Sequence, residues 1–283
     1  MMDDTQKTTL VSDALRALLY EVSVNPKPGL VDPVSSGPHP DMDVFTFIDS
    51  AVSLRQYFDR CATHGANFQG DNLHDLFLGI RPDGVVAEHT MFGATEGVNT
   101  HKGAIFSLGI LVTADAYRVD HNEYSLQDIV KAMLKDLTVN DFKDLDDKSP
   151  ESLTAGEKQY LKYGIKGIRG EAEAGFPTVM NVALPALRKH QGTKNQRLLD
   201  TLMTIVGSTV DTNLVKRAQT DSVVDWAHQQ SQHYFALGGS RTVQGMAFLN
   251  ELNAVFTERN LSLGGSADLL ILTIFIGLRE EII

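Results

Sequence analysis

An all-α fold is predicted by three observations. Apolar residues recur at three- and four-residue spacing along most of the chain, no segment alternates apolar and polar residues for long, and valine and isoleucine fall mainly inside the helical stripes. Ala14, Leu15, Leu18, Leu19 and Val22 form the first stripe. Phe45, Ile48, Ala51, Val52 and Leu54 form the second, and each predicts a helix facing a core. From His101 to Tyr117 the run is apolar on most sides, which marks a helix surrounded by others. Ser125 with Asp128 is a capping signature ahead of Ile129, Val130, Met133 and Leu137. Thr154 with Glu157 is another, ahead of a helix through Tyr163. Further helical runs cover 179–190, 197–217, 222–236, 242–258 and 267–283. The polar, acidic stretch 138–152 reads as a connection and a candidate mobile loop. With 283 residues, 42% hydrophobic and 22% charged, the chain reads as one multi-helix globular domain over 1–283, its site formed by loops and helix N-termini.

Charge and cysteine content remove several classes of function. A formal net charge of −11 argues against nucleic acid and anionic membranes as partners, since both need a basic surface. Cys61 is the single cysteine, so neither an internal disulfide nor a cysteine metal cluster is expected, and its neighbour His64 does not make it a nucleophile. The start MMDDTQKTTL carries no signal-peptide pattern, and the apolar run Leu269–Leu278 is too short to span a bilayer. A cytoplasmic protein is expected. The apolar C-terminal helix ending in Ile282 and Ile283 is a candidate homodimer surface.

Five polar blocks interrupt the helices. In the first, two prolines around Lys27 fix the backbone and point one cation, and His39 follows in the segment Ser36–Asp43. Asp41 and Asp43 precede a helix, where a carboxylate caps free N–H groups; capping and ligand binding both stay open for Asp43. In the second, Thr95–Gly103, Thr100 suits an N-cap, with Asn99 before it and His101 and Lys102 in the first turn. Cations there oppose the helix dipole, which makes sense if an anion docks at the same end. The third, Gly167–Pro177, sets Arg169, Glu171 and Glu173 among three glycines. On a helix the two glutamates would point to nearly opposite sides; in an extended segment they share a face and could hold one ion or flank one reacting carbon. The fourth is Asp211-Thr212-Asn213, where Asp211 lies beside the stripe Met203, Val206, Val210 and Leu214. A carboxylate there is costly unless paired or metal-bound, and Asn213 adds an oxygen. The fifth is Gly264–Asp268, where Gly265 and an N-capping Ser266 can build a phosphate nest beside Asp268. No Walker loop, dinucleotide fingerprint, His-Glu-x-x-His or nucleophile elbow is present.

Taken together and in order, PKPGLVD, SGPHPDMD, GVNTHKGAIFSLG, RGEAEAGFP, DTN and GGSADLL closely resemble the triphosphoribosyl-dephospho-coenzyme A synthase family, from about Leu15 to Phe275. One departure concerns the turn after DTN, which reads Lys216-Arg217-Ala218-Gln219 in place of an Arg-Gly-Gly turn. The resemblance implies a transferase that joins ATP to 3′-dephospho-CoA and releases adenine. Its product is the prosthetic-group precursor of the citrate lyase acyl carrier protein, taken up by a downstream holo-carrier-protein transferase; a related branch serves malonate decarboxylase. It implies magnesium, with Glu171, Glu173, Asp211, Asp268 and Asp43 as candidate ligands and Glu171, Glu173 or Asp211 as candidate base. Lys27, His101, Lys102 and Arg169 are then expected on phosphates, and His39, Asn99, Asn213, Gly265 and Ser266 elsewhere on the substrates. An all-α metal-dependent nucleotide or ADP-ribose hydrolase and a non-catalytic nucleotide-binding regulator are the rival readings.

Overall fold

The computed structural model describes residues 2–149 and 151–283, and among these the regular elements are helices with no strand. α1 (Asp4–Ser23) starts at a reciprocal cap between Asp3 and Gln6, and α2 (Val44–Ser53) at one between Asp43 and Thr46. α3 (Arg55–Asn67) and α4 (Leu73–Ala94) follow, in a stretch where sequence periodicity assigns no helix. α5 (Lys102–Arg118) is buried on nearly all sides, as its composition predicts. α3 and α5 touch backbone to backbone. A methyl group on Gly65 would strike the Thr113 carbonyl, and one on Gly109 would strike the Tyr57 hydroxyl, which donates to Ile105 O at 2.8 Å.

α2 corrects one expectation. Its stripe does not face the core as a whole: Phe45 and Val52 are exposed, and the buried side carries Ser50 and Ala51. The buried face of this helix is turned toward a polar contact, so its apolar pattern does not mark its inner side.

α6 (Leu126–Met133) begins at Ser125, whose hydroxyl accepts from Asp128 N. The segment expected to be a mobile loop over 138–152 instead holds α7 (Leu137–Phe142) and a 3-10 turn at Leu145–Asp147; Pro150 lies outside the described residues. Phe142 stacks on Tyr160 of α8 (Ala155–Tyr163) with ring centroids 4.1 Å apart. α9 (Gly167–Glu173) leads through a π-helical turn, Thr178–Ala183, into α10 (Leu184–Lys189). The run 197–217 is two helices, α11 (Lys194–Val206) and α12 (Thr212–Ala218), because Asp211 caps a new start instead of continuing the old helix. α13 (Val223–Ala236), α14 (Val243–Glu258) and α15 (Gly264–Arg279) complete the set.

α15 is the axis of the molecule. α1, α5 and α11 all pack on it, and Leu269 to Leu278 are buried without interruption. Each leucine, isoleucine and phenylalanine in that run contributes roughly 1.5–3 kcal/mol by leaving water. At its far end Arg279 donates from Nε to Asp115 at 2.9 Å and from Nη1 to Asp13 at 3.2 Å, tying α15 to α5 and α1. Ile282 and Ile283, half-buried, pack against the same core, so part of the apolar surface that suggested a homodimer face is used inside the subunit. No described helix is long and apolar enough to cross a membrane.

Candidate active site

The N-terminal ends of α5, α12 and α15, the Lys27 loop and α9 surround a cavity of about 970 Å³. That is the upper end of the range for small-molecule sites. Of the residues expected in a site, Lys27, His39, Asn99, His101, Lys102, Glu171, Asp211, Asn213, Gly265 and Asp268 line it.

Asp211 is buried and saturated with donors. One oxygen accepts from the backbone N–H of Asn213 at 2.9 Å, Leu214 at 3.1 Å and Gly265 at 3.3 Å. The other accepts from Ser266 N at 2.7 Å and the Ser266 hydroxyl at 2.8 Å. The carboxylate therefore clamps the starts of α12 and α15 together, and no lone pair is left for a metal or a substrate proton. Ser266 accordingly sits inside the first turn of α15 as a donor to Asp211, not as the N-cap expected of it, and does not face the cavity.

Asp268 contrasts with it. Its carboxylate is half-buried in the cavity wall and has no hydrogen-bond partner among the described residues. Burial first, then the charges of Asp211 and Glu21, push its carboxyl up to about 8. It lies against Gly103 in the first turn of α5, so closely that a methyl group there would collide with it.

The glutamate pair is divided. Because α9 is a helix, Glu171 and Glu173 leave it on different sides. Glu171 faces the cavity, accepts from Thr178 N at 2.6 Å, and is raised by burial. Glu173 turns away to Thr138, accepting from its N–H at 3.1 Å and from its hydroxyl. Two other expected residues also lie off the cavity. Arg169 pairs with Asp141 at 2.8 Å and lies 4.8 Å from the Phe106 ring centroid. Asp43 caps α2 on the surface, and its hydrogen bonds from Thr46 lower its pKa.

Lys27 is almost wholly buried, with Nζ donating to the Glu21 carbonyl at 2.7 Å and to the Glu21 carboxylate. Its charge is neutralised where it stands. His39 is held between Arg217, which donates to Nδ1 at 3.1 Å, and Ser262, 3.1 Å from Nε2; burial, then Arg217, lowers its pKa. Lys102 pairs with Glu88 at 2.8 Å at the rim. Thr100 does not cap α5; its hydroxyl donates to Ser50 at 2.7 Å.

Sequence reading missed Glu21, Gln159, Lys166 and Lys216, all of which line the cavity. Glu21 was visible in principle: it falls on the stripe of Ala14, Ala17 and Leu18, where a carboxylate needs a partner. Lys166 and Lys216 carry no such signal, being ordinary surface residues until α9 and α12 turn them inward. Gln159 donates to Thr212 O at 2.7 Å, which leaves its Oε1 buried without a partner; His101 Nε2 is the other buried orphan on this wall. Among the described residues no group of three or more His, Cys, Asp or Glu is placed to hold a metal.

The chain matches the profile of the CitG family, ATP:dephospho-CoA triphosphoribosyl transferase, over residues 7–283. It is 66% identical to a probable 2-(5″-triphosphoribosyl)-3′-dephosphocoenzyme-A synthase of Lactiplantibacillus plantarum, across 97% of this chain and 98% of that protein. A protein of the same description in Streptococcus equi subsp. equi is 40% identical across 95% of each chain. Protein CitXG of Leuconostoc mesenteroides subsp. cremoris is 51% identical across 95% of this chain, which spans 59% of that protein. No solved structure matches.

Proposed function

Because the chain belongs to the ATP:dephospho-CoA triphosphoribosyl transferase family, we propose that the cavity at the α5, α12 and α15 starts is where its two substrates meet. The enzyme transfers the triphosphoribosyl group of ATP to 3′-dephospho-CoA and releases adenine. A C–N bond breaks at ribose C1 and a C–O bond forms there. The attacking hydroxyl gives up a proton and the departing base gains one, through an oxocarbenium-like state.

Glu171 is the general base in this reading, because it faces the cavity from a half-buried position, held there by Thr178. Asp268 is the residue that would hold magnesium. Its carboxylate, without a hydrogen-bond partner among the described residues, fits a hard cation. Magnesium, when bound, supplies neutralisation of phosphate charge. Lys102, Lys166, Lys216 and Arg217 face the phosphates, and the orphaned Gln159 Oε1 accepts from the exocyclic amino group of the base. The single observation beneath the assignment is that Asp268 and Glu171 share one cavity while Asp211 is fully bonded.

Incubation with ATP, magnesium and dephospho-CoA, followed by mass analysis, is the test. Free adenine and the triphosphoribosyl adduct are expected. Glu171→Gln should lower turnover about a hundred- to ten-thousand-fold, and Asp268→Asn should raise the magnesium requirement. Near wild-type behaviour of both would remove these roles. The product is proposed as the prosthetic-group precursor for a citrate lyase carrier protein, attached by a holo-carrier-protein transferase; the closeness of the sequence blocks supports this over malonate decarboxylase. The lone, buried Cys61 suits a reducing compartment, and a cytoplasmic location is proposed with it.

A further inference from the structure

His101 opens α5, a helix of 17 residues; its own side chain caps no amide, and Asn99 Oδ1 reaches only Lys102 N, at 3.4 Å. Its imidazole is almost wholly buried, and it packs edge-on against Phe47 with ring centroids 5.1 Å apart. Nδ1 lies 2.6 Å from the hydroxyl of Ser50, itself fully buried in α2. Ser50 in turn accepts from the Thr100 hydroxyl at 2.7 Å. A serine hydroxyl has one proton to give, and among the described residues Nδ1 is the acceptor within reach of it. The hydroxyl relay from Thr100 through Ser50 therefore makes Nδ1 the acceptor and puts the ring proton on Nε2. Nε2 has no partner among the described residues, and its residue lines the cavity.

We infer that His101 is an uncharged hydrogen-bond donor to a substrate phosphate oxygen at the amino end of α5, and that Ser50 and Thr100 are positioning residues that hold its tautomer. The open helix end favours an anion, and a neutral N–H gives direction without adding a buried charge. Burial, aided by Lys27, pushes the imidazole down to about 3, in keeping with an uncharged ring. The inference rests on the transferase reading for its ligand. The phosphate could belong to the triphosphate of ATP or the pyrophosphate of dephospho-CoA, and the two are separable.

The test uses the full chain with ¹⁵N-labelled histidine, the His101 signals being assigned by their loss in His101→Gln. A protonated Nε2 and an unprotonated Nδ1 are expected in long-range ¹H–¹⁵N spectra. Inorganic tripolyphosphate and ATP in one arm, pyrophosphate and dephospho-CoA in the other, identify which phosphate moves the Nε2 signal. Ser50→Ala should populate the Nδ1–H tautomer and weaken that ligand about two- to tenfold, the worth of one hydrogen bond. His101→Gln keeps an N–H near the same place and should bind within about threefold of wild type, whereas His101→Leu should lose about tenfold. An Nδ1–H tautomer in the wild type would overturn the inference. So would an Nε2 signal unmoved by all four ligands, or a glutamine variant as weak as the leucine one. Failure of the wild type to release adenine would instead sink the reaction reading, because the imidazole signals report the subsite without turnover.

Discussion

Asp211 and Asp268 belong to one cavity, and their surroundings give them different work. Asp211→Ala would strand buried donors at two helix starts, so a loss of about 3–5 kcal/mol is expected in urea unfolding. Asp268→Asn removes a carboxylate without a hydrogen-bond partner among the described residues; its stability should match or exceed wild type while adenine release falls. His101 makes a pH prediction. Its folded value, about 3, lies below the ordinary imidazole value of 6.5, so the unfolded chain binds the proton more readily. That stability is present above pH 6.5 and lost as pH falls toward 3, by at most ~1.4 kcal/mol per pH unit. Thermal unfolding of His101→Gln should show a shallower acid decline across that window. Sequence identified Asp211 as a carboxylate in need of a partner. That the partner is a set of amides from the start of α15 was hidden, because Gly265 and Ser266 reach it only through the tertiary fold.

Elements account for most of what was legible and most of what was not. The caps at Ser125 and Thr154 were readable because one side chain and an amide three residues on suffice to form them. The block from Gly167 stayed open between helix and extended segment, since its glycines allow either backbone. In the structure α9 begins after Lys166, and positive φ falls at its two ends, at Gly167 where it starts and at Gly175 and Phe176 after it. The helical turn is what separates Glu171 from Glu173. α3 and α4 were missed because their apolar stripes are diluted by charges and by Pro82. Gly103 tests the element scale directly. In a solvent-facing helix Gly→Ala would add up to ~1 kcal/mol. Here the new methyl group meets the Asp268 carboxylate, so Gly103→Ala should lower turnover without unfolding the protein, as circular dichroism and adenine release together would show.

At the scale of the molecule, the all-α architecture follows from periodicity alone, whereas its arrangement around α15 does not. The C-terminal run looked like a sticky outer surface because its greasiness says only that it is covered, not by what. α1, α5 and α11 cover it, and Arg279 fastens it to Asp13 and Asp115. Arg279→Leu should cost about 1–3 kcal/mol in chemical denaturation, because two buried carboxylates lose a shared cation while Arg16 and Arg118 still pair with their other oxygens.

This layout has a consequence for biosynthesis. The helix that fills the centre follows every other described helix in chain order, and its first turn also carries Asp268. While the polypeptide is still emerging from the ribosome, α1, α5 and α11 have a greasy slot between them and nothing to fill it. A chain halted before Gly264 would be left with that slot open and without one wall of the reaction chamber, so a truncated product would be both inactive and conspicuous to chaperones and proteases.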